Sequence, residues 1–516
     1  MSTLTYINHP NPQCSGNPLI EAMGYPMTLE DIRTRCGELF NGDISLEGVP
    51  EEHHAYYLRS IIDNLMSTYV TQDEAYAIYE KLRRMIEVGY KIRNPLDSIF
   101  RNRMLTAIHS DDKNQLEAFN LKQVTGESPD SMLTANASFL LAGLSGRGKT
   151  TMMLRILKLL NQTYQHTQYT KKDGEIVNLD IDQITYLYVQ IHKRKGQKAF
   201  LRSVIEAVQY ATKIPYMDEM KKKGDSVDEM IRFVRKLLIK HNVGILIIDE
   251  AQNFAATPDH LQLGANEQTS MKFVEEIFNR IGVPLFFIGT MSTLKLFGKE
   301  MTIGRRALND GSLLMVSCDV EGSFWSRLFQ EICPSYLLKG EHSESDFLMR
   351  HLHMLSAGMP AIAVSLMRAT LSHLSKFEPG KQNLTIEALS YVFKEQFSIL
   401  HKPLKVVHSG KNYHKYEDLE VMAELKEINE EISAGLKSAE KGYVSQTYAA
   451  EIENLPATDT EAEARVEKSL NAVKTVQVKS EKSRQPSVTP QLADKIKTSN
   501  LLVADLKPSS REVKGV

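Results

Sequence analysis

Gly143-Leu-Ser-Gly-Arg-Gly148-Lys149-Thr150, set between the apolar run Ser138–Ala142 and the helix-patterned Met152–Leu160, decides how the rest of the 516-residue chain is read. The stretch fits GxxxxGK[ST] in the context that pattern requires, a strand running into a helix. Backbone N–H groups of such a loop turn inward and, with the helix N-terminus, cradle a β-phosphate. Lys149 then reaches the β/γ oxygens and Thr150 ligates magnesium. Gly146 and Gly148 keep side chains out of the cradle. The phosphate-binding set is Gly143, Ser145, Gly146, Arg147, Gly148, Lys149, Thr150 and Thr151. A tight turn with a surface lysine is the bland alternative, and the strand–loop–helix setting speaks against it. The string LSGRG also resembles the start of a transporter-ATPase signature; its place inside the phosphate loop rejects that reading.

About a hundred residues on, Gly244-Ile-Leu-Ile-Ile248-Asp249-Glu250 is an apolar strand ending in two carboxylates, a Walker B pattern. Asp249 holds the magnesium shell in this reading, and Glu250 orients or activates a water against the γ-phosphate. Gln252 follows, either as a γ-phosphate or neighbour-sensing group or as a plain loop glutamine. The next apolar run, Pro284–Gly289, leads into Thr290, which reads as a γ-phosphate sensor, with a cap on the next helix as the alternative. Arg305 and Arg306 come next, as an arginine finger reaching a neighbour's site or as an exposed basic pair. Between the second strand and its helix, Lys193, Arg194, Lys195 and Lys198 stand with a glycine and no acid; a phosphate backbone or a solvated loop fits them. His351 and His353 lack further ligands at metal spacing, and Tyr56-Tyr57 reads as packing rather than base stacking.

The apolar runs Ser138–Ala142, Ile184–Ile191, Ile245–Ile248, Leu285–Gly289 and Leu313–Ser317 alternate with helical patterns. Continuous apolar strands flanked by helices predict an α/β fold, a parallel P-loop sheet covered on both faces. The division expected is 1–133 as an N-terminal extension and helical module, 134–320 as the ATPase core, 321–400 as a small helical lid, 401–444 as a C-terminal helix, and 445–516 as a disordered tail. Ser110–Leu133 reads as a hinge and Tyr416–Leu436 as an amphipathic helix. No aromatic residue occurs after Tyr448, so the tail cannot bury much core. A short aliphatic cluster at Leu492–Leu506 interrupts it and suits docking onto a partner, or is a frayed terminus.

Composition excludes other classes. Four cysteines, widely spaced and never CxxC, argue against a disulfide framework or a zinc ribbon and for a reducing compartment. Lys+Arg 62 against Asp+Glu 64 leaves any nucleic-acid surface to a local patch. No apolar stretch nears the roughly 18 residues of a spanning helix, and the first residues lack a signal-peptide pattern. A cytoplasmic protein without membrane contact is expected.

With these residues on the page, the chain resembles the TnsC-type AAA+ regulators of target-selecting cut-and-paste transposons, a group that includes CRISPR-associated elements. The likeness runs through Asn17-Pro-Leu-Ile-Glu-Ala22, Gly89-Tyr-Lys-Ile-Arg-Asn-Pro95, the FLLAGLSGRGKTT loop, ILIIDEAQNF and Ile281-Gly-Val-Pro284-Leu-Phe-Phe-Ile-Gly-Thr290, over roughly residues 15–440. The resemblance implies ATP and Mg2+ as cofactors, with Lys149, Thr150, Asp249 and Glu250 serving them and Arg305 or Arg306 acting between subunits. It implies a homo-oligomer, ring or helical filament, on double-stranded DNA. It also implies that this assembly links a target-selection protein, at the N-terminal module, to transposase subunits, with the endonuclease subunit at the tail. One departure is that the lid helix after Gly358 has no arginine at the usual second-sensor distance, leaving only Arg368. A helicase-loader-like motor and a non-hydrolysing nucleotide-gated scaffold are the competing readings; Glu250 argues against the scaffold.

Overall fold

The computed structural model describes residues 4–98, 100–101, 137–192, 197–223, 226–255, 283–298 and 309–409. The hinge Ser110–Leu133, the helix proposed at 416–436 and the tail with its Leu492–Leu506 cluster lie outside these residues.

Among the described residues seven strands follow one another: β1 (Ser138–Gly143), β2 (Thr163–Thr170), β3 (Ile176–Ile184), β4 (Tyr186–Gln190), β5 (Ile245–Asp249), β6 (Leu285–Gly289) and β7 (Ser312–Met315). Five of them form one parallel sheet in the order β4-β5-β6-β1-β7. Alternation sorts their apolar side chains onto two faces. Leu140, Ala142, Leu187, Val189, Leu246, Ile248 and Phe287 face the helices Gln197–Thr212 and Val227–Lys240, meeting Val204, Val208, Val234 and Leu238. Phe139, Leu141, Ile245, Ile247, Phe286 and Ile288 face the other way, onto Met152, Met153 and Ile156 of the helix Lys149–Leu159. Burial on both sides of β1, β5 and β6 explains why these strands read as unbroken apolar runs, while the edge strands β4 and β7 are partly exposed.

The N-terminal helices share that second core. Ile78, Leu82, Met85 and Ile86, spaced along one face of Glu74–Lys91, pack in it with Leu19 and Ile20. The motifs beginning at Asn17 and Gly89 meet here: Asn17 caps the turn Pro18–Glu21, and its Nδ2 donates to Tyr90 O at 2.8 Å. Arg93 is buried and donates from Nε to Gly89 O at 2.7 Å and from Nη1 to Val243 O at 2.6 Å, while Tyr90 OH donates to Asn242 O at 2.8 Å. These bonds rivet the N-terminal region to the base of β5. Gly89 and Gly244 permit it, since a Cβ would lie 2.9 Å from Pro284 Cγ at the first and 2.3 Å from Thr185 O at the second.

The second sheet strand differs from the run Ile184–Ile191. Ile184 ends β3, and only Tyr186–Gln190 joins the sheet. The break falls at Thr185, whose N–H turns to Gln162 O at 2.7 Å instead of the ladder. Before it, β2 and β3 form an antiparallel hairpin turned at Asp173-Gly174, with Gly174 at φ +86°. The fifth strand, expected at Leu313–Ser317, spans Ser312–Met315.

After the sheet come the helices Ser323–Ile332, Ser345–Ser356, Pro360–Leu374 and Ile386–Gln396, packed around Trp325, Leu352, Leu366, Leu371 and Leu389. Ile62, Leu65 and Val70 from the N-terminal region enter the same core. Among the described residues no single helix is long and apolar enough to cross a membrane.

Candidate functional site

The loop after β1 leads straight into the helix Lys149–Leu159. Gly146 at φ +81° and Gly148 at φ +92° take the left-handed conformations that let the loop curl, which side-chain-bearing residues adopt only at a cost. Gly143 is held for a different reason: a Cβ there would lie 2.4 Å from Met315 O of the neighbouring strand. Lys149 is buried at the helix start and donates from Nζ to Gly143 O and Leu144 O, each at 2.9 Å. Its ammonium therefore rests across the loop.

Parallel pairing brings the end of β5 to this loop. Thr150 Oγ1 donates to Asp249 Oδ2 at 2.8 Å, so the two residues assigned to magnesium, 99 positions apart, stand in contact. Tyr188 on β4 donates its hydroxyl to the same oxygen at 2.6 Å, a partner the sequence did not disclose. Burial and the Asp249 carboxylate raise the Tyr188 phenol far above its ordinary value, so it stays a donor. Asp249 Oδ1 accepts from the backbone N–H of Glu250 at 2.8 Å. Glu250 adopts φ +58°, a left-handed conformation uncommon outside glycine, directly after the strand. Gln252 joins the Glu250 carboxylate through Nε2 and accepts the Thr290 N–H on Oε1 at 3.1 Å. Thr290 Oγ1 lies 2.7 Å from Ser292 Oγ at the start of the helix Ser292–Gly298.

Arg147, placed in the phosphate set, has its guanidinium committed elsewhere. Nε donates to Val316 O at 2.8 Å, Nη1 to Gln72 Oε1 at 2.7 Å and Nη2 to Glu74 Oε1 at 2.7 Å. Its part in holding phosphate is thereby confined to backbone, and the side chain ties the loop to the N-terminal region. Gln72 returns a bond from Nε2 to Arg147 O at 3.0 Å. On the lid side, the N–H of Ala361, in the first turn of Pro360–Leu374, donates to Gly146 O at 3.2 Å. No motif marks Gln72 or Glu74; a short polar run ahead of an amphipathic helix was the sole signal. Arg368 Nη1 donates to Asp63 Oδ1 at 2.7 Å, an engagement with the N-terminal helix Glu51–Asp63.

Of the basic run, Lys198 lies in the first turn of Gln197–Thr212, and Lys193, Arg194 and Lys195 fall outside the described residues, as do Arg305 and Arg306. His351 Nε2 meets Ser390 Oγ at 2.6 Å and His353 Nε2 meets Cys318 O at 2.8 Å, so each has a protein partner. Tyr56 and Tyr57 make an edge-to-face pair and are exposed rather than packed.

The arrangement suits a magnesium nucleotide. A hydroxyl and a carboxylate already in contact supply hard oxygen donors, and the carbonyls that hold Lys149 are ones a phosphate can replace as its partner. Fold and site together define a P-loop ATPase domain of the AAA class. In agreement, residues 134–297 match the AAA domain family. No curated protein matches the chain. Among solved structures, the E. coli MS115-1 HORMA:CdnC:Trip13 complex contains a chain 13% identical, covering 65% of this chain and 92% of its own at a TM-score of 0.33. The Aeropyrum pernix ORC2 protein, in ADPNP-ADP complexes, is 13% identical over 72% of this chain and 89% of its own, at 0.32. Likenesses this distant support no inference about activity. The AAA domain itself implies ATP binding and hydrolysis with Mg2+.

Proposed function

We propose that the protein is an ATP-dependent regulator of DNA transposition. It assembles on duplex DNA with ATP bound, links a target-selection protein to transposase subunits, and resets on hydrolysis. The hydrogen bond between Thr150 and Asp249 carries the ATPase part, since it unites the two halves of a magnesium site. The transposition part is supported by the sequence motifs shared with such regulators. In the ATPase step the chain's own residues do the following. Loop N–H groups and Lys149 bind the phosphates, and Thr150 and Asp249 hold Mg2+. Glu250 takes a proton from water, and Thr290 marks the γ-phosphate position. Magnesium, when bound, neutralises charge on the phosphate oxygens. Arg305 or Arg306 supplies a finger from a neighbouring copy, Lys193, Arg194, Lys195 and Lys198 contact the DNA backbone, and the protein acts in the cytoplasm.

The test is capture of purified transposase by the ATP-bound, DNA-assembled protein. Recovery of transposase only with ATP and DNA together is the result expected. Unchanged recovery without nucleotide contradicts the reading.

A further inference from the structure

We propose that Gln252 is a positioning residue for hydrolysis, holding the Glu250 carboxylate and tying it to the backbone of Thr290. The inference rests on the reading of Glu250 as the base. The orientation of the amide follows from chemistry alone. A carboxylate only accepts and a backbone N–H only donates, so the NH2 group must face Glu250 and the carbonyl oxygen must face Thr290.

Three further observations show that the surroundings are shaped to this contact. Glu250 is held at φ +58°, a left-handed conformation uncommon in a residue with a side chain, directly after the end of β5. The five-residue turn Ala251–Ala255 that presents Gln252 is pinned on both sides: Asn253 N–H donates to Glu250 O at 2.9 Å and Asn253 Nδ2 to Ile191 O at 2.8 Å. At the end of β6, Gly289 leaves room for the amide, because a Cβ there would lie 3.0 Å from Gln252 Oε1 and 2.1 Å from Thr293 Oγ1. A base works only while its lone pair points at the water, and one hydrogen bond that fixes the carboxylate to the adjacent strand restricts its rotation. The same bond makes the base sensitive to any shift of Thr290.

Two variants test this in steady-state hydrolysis and in binding of a fluorescent ATP analogue. Gln252→Met keeps the length of the side chain but loses both bonds; nucleotide affinity should stay within about two-fold while kcat falls about ten-fold or more. Gln252→Glu keeps the size of the side chain but puts an acceptor where the NH2 group donated, so its kcat should fall at least as far as that of Gln252→Met. Loss of packing alone would spare this near-isosteric variant. A parental or higher kcat in either variant overturns the proposal. Glu250→Gln run beside them separates the two layers: if it too hydrolyses normally, the base itself is misassigned, whereas its loss beside an active Gln252→Met removes Gln252 alone.

Discussion

Arg147 of the phosphate loop and Glu74, the first residue of the helix that backs the sheet, form a salt bridge of 2.7 Å between Nη2 and Oε1. Arg147 is almost fully buried, and its other two nitrogens are bonded as well, so the pair is part of a network and not a lone surface contact. The loop that receives nucleotide is thus joined directly to the N-terminal region.

A double-mutant cycle of Arg147→Ala and Glu74→Gln, read by thermal unfolding without nucleotide, should give a coupling of about 1–2 kcal/mol. Strictly additive effects would mean that the contact carries no energy.

Lys149→Ala should have two effects because the lysine has two sets of partners. Without nucleotide, losing its bonds to Gly143 O and Leu144 O should lower the melting temperature modestly. With nucleotide, binding of a fluorescent ATP analogue should fall by at least about a hundred-fold, since the cation aimed at the β/γ-phosphates is gone. Normal affinity in the variant would contradict the loop assignment.

His241, capping the helix Val227–Lys240, is buried with Nε2 2.6 Å from Tyr216 OH. Burial first, then the nearby Lys240 charge, push its pKa down to about 4, with Asp182 opposing them. The folded state favours the neutral ring, so this contribution is complete above pH 6.5 and is lost as pH falls toward 4, at up to ~1.4 kcal/mol per pH unit. Urea unfolding of the parent should show that loss, and His241→Gln should flatten it. Parallel curves would show that other groups govern acid stability.

The central strands β1, β5 and β6 were legible because burial on both faces leaves unbroken apolar runs, the partly exposed edge strands β4 and β7 were legible with shifted bounds, and the phosphate loop was legible because glycines and a lysine must stand at set positions. The hairpin Thr163–Ile184 was missed because it is largely exposed and polar; its Asp173-Gly174 turn was a readable mark. Arg93 illustrates a different limit. Its motif was visible, yet its work, bonding Gly89 O and Val243 O across the base of β5, depends on a contact 150 residues away. Burial pulls its pKa down to about 10, with no carboxylate partner among the described residues, a tertiary fact that local spacing does not encode. Gln72 and Tyr188 escaped notice for the same reason: each matters through a partner distant in sequence.

The proposed function requires that ATP binding, through the site joined by Thr150 and Asp249, drive assembly on duplex DNA. Electron microscopy of the full chain on duplex DNA, with and without a non-hydrolysable ATP analogue, tests it most directly when Lys149→Ala is imaged alongside. Ordered rings or filaments in the parent with the analogue, and in neither the parent without it nor the variant, is the outcome predicted. Assemblies that form equally without nucleotide, or in Lys149→Ala, would contradict it.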